Sequence, residues 1–231
     1  MTNPWPKTVR SITLASQAII SGSVQDGLTG AAPLGHTAVR LLDRNTGEEY
    51  PMRGTVLADG HFAFFAIPER AFPQLVDRTY HLRVQATALR YSTDAFDFDI
   101  GPIVDQPTVV TVQVPTPGVP DLSVRLFTAG GLPQTGISLT LDRVAVRLEG
   151  RVIVSTNPSL GVANATVQQD PPTGPSTTTG SDGSFAFVAP LPIALSLQVR
   201  ISAASFENAI MTLEPDYTRP VNQVTIPLKP S

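Results

Sequence analysis

Short stretches of alternating apolar and polar residues recur along this chain, separated by turn-forming residues. Two of them share one pattern: residues 58–64 read Ala-Asp-Gly-His-Phe-Ala-Phe, and residues 181–187 read Ser-Asp-Gly-Ser-Phe-Ala-Phe. Asp-Gly favours a tight turn because glycine adopts positive φ at little cost and aspartate bonds to nearby backbone. The two Phe of each copy point to one face of a strand, which we assign to a core. The repeat indicates two similar units.

The stretches around the two copies also correspond in order. In the first half, alternation predicts strands at residues 11–14, 18–24, 36–42, 61–65, 80–86, 95–100 and 109–114. In the second half, it predicts strands at residues 138–141, 146–152, 163–167, 185–187, 195–201, 210–213 and 221–228. We match residues 138–141 to residues 11–14. Strands at this spacing, with turns between them and almost no helix, are typical of β-sandwiches.

These matches divide the chain into four parts. We predict an N-terminal arm at residues 1–10 and a first sandwich at 11–114. A linker follows at 115–137, rich in proline at its start and with one strand at 121–128, and a second sandwich occupies 138–231. A unit of about 100 residues is large enough for a sandwich to bury its own core.

The two units share one pattern of residues. It is Gly-x-Val, then an Ala-x-Val type of strand, then Thr before Asp-Gly-x-Phe-x-Phe, then an alternating Leu-x-Val strand. The matching residues of the first unit are Gly22, Val24, Ala38, Val39, Thr55, Asp59, Gly60, Phe62 and Phe64. Those of the second unit are Gly150, Val152, Ala165, Val167, Thr179, Asp182, Gly183, Phe185 and Phe187. With this pattern each unit resembles the carboxypeptidase regulatory-like domain.

The resemblance covers residues 17–114 and 145–228. It implies an all-β chain of two tandem transthyretin-like, Ig-like sandwiches of seven strands each, joined by the Pro-rich linker. It further implies binding, spacing or assembly rather than catalysis, because every matching position is a turn or core position. Fold alone does not assign the task of such a module.

Composition and charge exclude several classes of function. Sixteen basic and nineteen acidic residues give a net charge of −3, and lysine occurs only at Lys7 and Lys229, which disfavours nucleic-acid binding. The absence of cysteine excludes disulfides and thiolate metal sites. No apolar run approaches the ~20 residues of a membrane span, and the first ten residues lack an apolar signal core. We therefore expect cytoplasmic synthesis without a signal peptide and no membrane span.

The candidate catalytic and metal-binding residues are few. His36, His61 and His81 lie on or beside predicted strands, and none has a glutamate at zinc-ligand spacing. We expect no catalytic residue, no metal and no cofactor. Asp94, Asp97 and Asp99 could together suggest calcium. Alternating Phe and Asp at residues 96–99 is better explained by a half-buried strand.

The best candidates for residues that contact a partner lie in the predicted N-terminal arm. Trp5 lies between Pro4 and Pro6, where it cannot join a helix. It either covers the core of its own unit or anchors a partner surface, since tryptophan is favoured at contact hot spots. For a glycan, the residues with suitable side chains are the threonines at 177–179 and Tyr50, Tyr91 and Tyr217.

Three functions remain open at this stage. The first is a non-enzymatic structural or adaptor protein that docks onto protein partners in a larger assembly, with a phage-tail-like contractile injection particle as one such setting. The second is an adhesive module that binds carbohydrate or peptide. The third is a hydrolase with an unrecognised site, which the absence of known catalytic sets makes the weakest of the three.

Overall fold

The computed structural model describes residues 17–66, 71–72, 77–102, 108–112, 122–126, 133–171 and 174–231. Over these ranges the secondary-structure elements are all β-strands, which confirms the predicted all-β class. The chain forms two compact units, with the boundary between Leu141 and Asp142. We call them unit 1 and unit 2 and describe each by itself.

Unit 1 contains ten described strands. They are β1 (Gln17–Asp26), β2 (Thr37–Asp43), β3 (Glu49–Arg53), β4 (Thr55–Val56), β5 (His61–Ala66), β6 (Tyr80–Ala88), β7 (Asp94–Ile100), β8 (Thr108–Val112), β9 (Leu122–Leu126) and β10 (Gln134–Leu141). One four-stranded sheet has the order β10-β1-β5-β4, and a second has the order β3-β2-β6-β7. Strands β8 and β9 pair with each other as a separate two-stranded sheet.

The core of unit 1 lies between its two four-stranded sheets. Both Phe of the first repeat, Phe62 and Phe64, are buried there, as the alternation predicts. Strand β6 alternates buried and half-buried residues along its whole length, so that Leu82 and Val84 are completely buried. The last strand, β10, adds Ile137, Leu139 and Leu141 to the same core.

Unit 2 contains eight described strands. They are β11 (Arg147–Val154), β12 (Asn157–Gly161), β13 (Thr166–Asp170), β14 (Ser176–Thr178), β15 (Ser184–Ala186), β16 (Leu197–Ser202), β17 (Ala209–Leu213) and β18 (Val221–Leu228). In one sheet, β11 pairs with β12, β15 and β18; the other sheet has the order β14-β13-β16-β17. The second pair of repeat Phe residues, Phe185 and Phe187, is buried in this unit.

The two units share one topology. Seven strands of unit 1 have an equivalent in unit 2: β1 with β11, β2 with β13, β3 with β14, β5 with β15, β6 with β16, β7 with β17, and β10 with β18. In each unit the first strand pairs with the last strand in parallel and with the Phe strand in antiparallel orientation. The internal repeat that the sequence indicated is therefore a repeat of strand order.

The two Asp-Gly turns form the same hydrogen bonds. Gly60 and Gly183 both have positive φ, 86° and 81°. The carbonyl of each accepts a hydrogen bond from the first strand of its unit, Gly60 from the N–H of Val24 (2.9 Å) and Gly183 from the N–H of Val152 (2.8 Å). The Asp59 carboxylate accepts from the N–H of residue 61 at 3.0 Å, and the Asp182 carboxylate does the same with Ser184. The turn residues are thus those that the turn geometry requires.

The structure corrects the predicted end of the first unit. Residues 138–141 do not begin the second unit, because they belong to β10, which pairs in parallel with β1 of unit 1. The linker predicted at residues 115–137 likewise contains the start of β10, at Gln134. Nor does the described part of the strand predicted at residues 109–114 close the first sandwich. Among the described residues β8 pairs with β9 alone, and β10 takes the closing position. The alternation of residues 137–141 identified a strand correctly, but only the pairing shows which core it joins.

Candidate functional site: an open corner in unit 1

The two sheets of unit 1 meet at two corners, and one of these is closed. Strands β7 and β10 are edge strands of different sheets, and they lie against each other. The carboxylate of Asp94 joins them, since it accepts a hydrogen bond from the N–H of Thr140 at 2.8 Å and one from the N–H of Ala95 at 2.8 Å. A side chain thus satisfies backbone donors that the two edge strands would otherwise expose.

The opposite corner of unit 1 is open. Here the chain leaves the second sheet after β3 and enters the first sheet as β4, with only Gly54 between them. The crossing leaves a cleft of about 420 Å³. Its walls are residues 35–40, which include the first half of β2, and residues 54–60, which include β4 and the Asp-Gly turn; Ala32, Pro33 and Glu49 complete the lining.

One wall of this cleft is the start of strand β2. Strand β3 accompanies β2 as far as Arg40, which pairs with Arg53. The N–H of Asp43 donates to the carbonyl of Glu48 on the β3 side, whereas the N–H of Arg44 donates to β6. Backbone groups alternate in direction along an antiparallel strand, and the β2–β6 register is regular. The N–H groups of Thr37 and Val39 therefore point away from β6. Gly54 lies beside Val39 on that side, since a Cβ added to Gly54 would be 3.0 Å from the Val39 carbonyl oxygen.

The other wall presents a strand edge. Strand β4 is the outer strand of its sheet and pairs with β5 through Thr55 with Ala63 and Val56 with Phe62. The N–H of Leu57 donates to the carbonyl of His61 at 2.8 Å. By the same alternation, the N–H and C=O of Val56 point away from β5. The cleft is thus bordered by backbone donors and acceptors on two sides.

In unit 2 the chain itself closes the equivalent corner. Strand β14 follows β13 through three successive pairs, and the next residue, Thr179, donates its N–H to the carbonyl of Ala165 at 2.9 Å. The buried hydroxyl of Thr179 accepts from the N–H of Ala165 (2.8 Å) and donates to the carbonyl of Val162 (2.6 Å). This hydroxyl fixes the closing segment beside the start of β13.

The residue of unit 1 that corresponds to Thr179 is Val56, not Thr55 as the sequence pattern suggested. The turns set the register: the N–H of Leu57 donates to His61 as the N–H of Gly180 donates to Ser184. The residue before each donor is Val56 in unit 1 and Thr179 in unit 2. Valine has no hydroxyl to bridge the start of β2, and Thr55 is exposed and pairs with β5 instead. Unit 1 therefore lacks, at position 56, the hydroxyl that fixes the equivalent segment of unit 2.

Side chains at the cleft add charge and apolar surface. A guanidinium nitrogen of Arg40 lies 3.9 Å from a carboxylate oxygen of Glu49, and the two side chains are 57% and 50% exposed. Such exposed pairs contribute little to stability, so they are free to rearrange around a ligand. His36 lines the cleft and is exposed, and Leu57 exposes 58% of its surface beside them. The combination suits contact with a polypeptide better than bond-breaking chemistry.

The three histidines do not form a site together. His36 lines the cleft, and His61 is exposed after the Asp-Gly turn. The Nδ1 of His81 lies 2.9 Å from Asp99 and 3.0 Å from Arg44 on the outer face of the β6–β7 ladder. Among the described residues, no group of three or more His, Cys, Asp or Glu side chains could hold a metal ion.

The aspartates that suggested calcium are ion-paired instead. Phe98 is buried and Asp97 and Asp99 are exposed, as the alternation predicted, but Phe96 is 38% exposed, so the prediction is wrong for that residue. The guanidinium of Arg83 donates to both oxygens of Asp97, at 2.7 and 2.9 Å, and this bond holds the pKa of the Asp97 carboxyl below its ordinary value of 3.8. Asp99 lies 3.1 Å from Arg44. Asp94 bonds to the backbone, so the three carboxylates do not converge on one point.

The tyrosines proposed for a glycan are engaged within their own units. Tyr91 donates its hydroxyl to the buried carboxylate of Asp26 at 2.7 Å, and Tyr217 is buried with its hydroxyl bonded to Ala194. Tyr50 packs edge-on against Phe72. None of the three rings is presented as a stacking platform for a sugar. A glycan ligand therefore stays a prediction without a described site.

The remaining predicted contacts cannot be placed. Trp5, Pro4 and Pro6 lie outside the described residues, as do the rest of the predicted arm and the predicted strand at residues 11–14. Over the part of the chain that the structure describes, there is no helix long and apolar enough to cross a membrane.

Sequence reasoning missed the cleft because no motif marks it. Its walls are formed by ordinary strand and turn residues, and the cleft arises where the chain crosses from β3 to β4 at Gly54. The one usable signal was the difference between the two repeats, with Val56 where the other copy has Thr179. A register error of one residue in matching the copies concealed that difference.

Comparisons with known proteins add little to this description. No family model matches the sequence, and no curated protein matches it. The carboxypeptidase regulatory-like resemblance therefore remains a prediction.

Three of the solved structures with some likeness come from Bacillus and Lactobacillus species. The Bacillus anthracis TIE protein shares 11% identity, with 91% of this chain and 51% of that chain covered and a TM-score of 0.32. A double mutant of the shaft pilin SpaA from Lactobacillus rhamnosus GG shares 9%, covers 94% and 98%, and has a TM-score of 0.32. BcpA, the major pilin subunit of Bacillus cereus, shares 8%, covers 98% and 62%, and has a TM-score of 0.30.

The chain spans about half the length of the TIE protein structure and less than two thirds of BcpA. TM-scores near 0.3 do not establish a common overall arrangement, so we draw no functional conclusion from these likenesses.

Proposed function

We propose that this chain is a non-enzymatic structural or adaptor protein that docks onto a protein partner through the open corner of unit 1. The observation that carries the proposal is the cleft of about 420 Å³ at this corner, which is lined by Arg40, Glu49 and the exposed Leu57. A concave surface that combines apolar and charged side chains suits contact with a protein partner.

The narrower setting of a contractile injection particle rests on the family resemblance alone, and the proposal does not extend to it. A hydrolase finds no support at this corner, because His36 has no nucleophile or orienting carboxylate among its described partners.

The test is site-specific photo-crosslinking of the full chain in the cells that produce it. A photoreactive amino acid replaces Leu57, which is exposed at the cleft; replacement of Val144, exposed in unit 2, provides the matched control. We expect one defined protein adduct from position 57 that is absent from position 144, and elution of the native protein in a complex with that partner. Elution as a lone monomer without an adduct specific to position 57 would overturn the proposal.

A further inference from the structure

Strand β17 is the outer strand of its sheet in unit 2, and one of its two edges is free. All five of its residues, Ala209–Leu213, pair with β16. Among the described residues, no backbone or side-chain group bonds to the other edge of this strand. We infer that β17 pairs in antiparallel orientation with β17 of a second copy of this chain. The inference concerns unit 2 and does not depend on the cleft of unit 1.

The backbone groups at the free edge belong to Ile210 and Thr212. On β13, Gln169 donates its N–H to the carbonyl of Pro175 at 3.0 Å and therefore points away from β16. Gln169 and Met211 lie in one row across the sheet, on either side of the same residue of β16. Because backbone groups alternate in direction along antiparallel strands, Met211 points to β16. The N–H and C=O groups of its two neighbours, Ile210 and Thr212, therefore point outward.

This edge carries none of the features that usually prevent pairing with another chain. Folded proteins protect a free strand edge with charged residues, with proline or with a covering segment. Residues 209–213 read Ala-Ile-Met-Thr-Leu and include neither a charge nor a proline. Ile210 exposes 57% of its surface, and Thr212 is exposed as well. The edge of β17 is thus apolar, accessible and unprotected.

The equivalent strand of unit 1, β7, is protected. The carboxylate of Asp94 closes β7 against β10, and Asp97 and Asp99 add negative charge along its exposed face. In unit 2 the closure stops just before β17, where the N–H of Glu207 donates to the carbonyl of Lys229 at 2.9 Å. Strand β17 itself has no contact with β18 comparable to that between β7 and β10. The two copies of the repeat therefore differ in the protection of this edge.

A second copy fits because the edge is complementary to itself. If two β17 strands run antiparallel about a two-fold axis at Met211, Ile210 of each copy lies opposite Thr212 of the other. Each of these pairs can then exchange both of its N–H···O=C bonds. The next outward positions, Asn208 and Glu214, also lie opposite each other, so an amide faces a carboxylate and no like charges meet. Such an isologous interface closes at two copies.

The first test measures the oligomeric state of the full chain by sedimentation velocity. We expect a monomer–dimer equilibrium with a Kd below about 100 µM. Thr212→Asp gives the edge the charge that unit 1 has at Asp97, and Thr212→Pro removes an outward N–H where proline is tolerated. Each variant should weaken dimerisation by at least about tenfold. Ser176→Asp and Ser176→Pro, on the opposite outer strand of the same sheet, are the matched controls and should leave the Kd unchanged.

The second test identifies the register of the pairing. The chain has no cysteine, so a single introduced thiol reports on one position. Met211→Cys places two thiols opposite each other in a non-hydrogen-bonded pair, with Cα atoms about 4.5 Å apart, which is within the range of a disulfide. We expect a covalent dimer on mild oxidation. Ser176→Cys, exposed on the opposite edge of the sheet, should give none. Circular dichroism and thermal unfolding verify that every variant is folded.

Three results overturn the inference. The first is a chain that remains monomeric at about 100 µM. The second is a dimer that neither Thr212 variant weakens, because such a dimer forms through another surface. The third is the absence of a covalent dimer from folded Met211→Cys. The crosslink from position 57 tests the unit 1 cleft separately, so either proposal can fail while the other stands.

Discussion

Gly22 lies so close to the backbone of Ile137 that a Cβ added to the glycine would overlap the carbonyl oxygen of Ile137. The same relationship recurs in unit 2, between Gly150 and the carbonyl oxygen of Val224. In both units the glycine belongs to the first strand and its neighbour to the last strand, which run parallel. The glycine is thus required by the approach of the closing strand, and the repeat preserves this packing device.

We expect Gly22→Ala and Gly150→Ala each to lower the free energy of unfolding by about 1–3 kcal/mol or more, the usual range for forcing atoms into a packed site. The reason is that the obstructing atom is backbone, which cannot rotate away as a side chain can. Urea unfolding monitored by circular dichroism measures the loss. Gly180→Ala is the matched control, since its added Cβ would meet only side-chain atoms at 3.3 Å or more and the Ser184 carbonyl at 3.8 Å. Equal effects of all three changes would contradict the explanation.

The hydroxyl of Thr179 should contribute more to the free energy of unfolding than so small a group would suggest. Thr179→Val keeps the shape of the side chain but removes the bonds to the Ala165 N–H and the Val162 carbonyl, leaving buried groups unsatisfied. We expect a loss of about 1–3 kcal/mol in the free energy of unfolding. Thr179→Ser retains the hydroxyl and should recover most of it. A valine variant as stable as wild type would show that β14 remains in place without the hydroxyl.

The Tyr91 hydroxyl links two loops of unit 1 through a buried acid. It donates to the carboxylate of Asp26 and accepts from the N–H of Leu34 at 3.0 Å, while Asp26 also accepts from the N–H of Leu28 at 2.8 Å. We expect Tyr91→Phe to destabilise the protein by about 1–3 kcal/mol, because a buried carboxylate loses a donor. Thermal unfolding provides the measurement. Tyr50→Phe is a suitable comparison, since the ring packing against Phe72 is retained, and it should cost less.

The ion pair of Arg83 and Asp97 predicts a small dependence of stability on acid. The Arg83 hydrogen bond lowers the pKa of the Asp97 carboxyl below 3.8, so the folded state binds its proton less readily than the unfolded state does. The contribution is complete above pH 3.8 and is lost as the pH falls through the lower, folded pKa. Since the Asp97 side chain is 37% exposed, we expect less than about 1 kcal/mol.

NMR titration of the Asp97 carboxyl carbon measures this pKa directly. In Arg83→Gln the pKa should rise toward 3.8, and the loss of stability as the pH falls below 3.8 should become smaller. An Asp97 carboxyl that titrates identically in both proteins would show that the ion pair does not form in solution.

Local sequence determined much of the fold in this protein. Alternation located the strands, and Phe62, Phe64, Phe185 and Phe187 are buried as predicted. The Asp-Gly turns could be assigned because their geometry depends on a few adjacent residues, one with positive φ and one with a short acceptor side chain. These features depend on interactions within a turn or along one strand, which a linear sequence displays.

The pairing of strands that are far apart in the sequence could not be predicted from such local patterns. Residues 137–141 have the same alternation whichever core they enter, and only the close approach permitted by Gly22 places them beside β1. The open corner depends on a choice between two sheets, since Val56 pairs with β5 while Thr179 stays with β13. The sequence by itself determined the strands, turns and repeat. Tertiary structure decided which strand closes each unit and where the cleft of unit 1 opens. Those outcomes depend on which of several strands, far apart in the sequence, pair with each other.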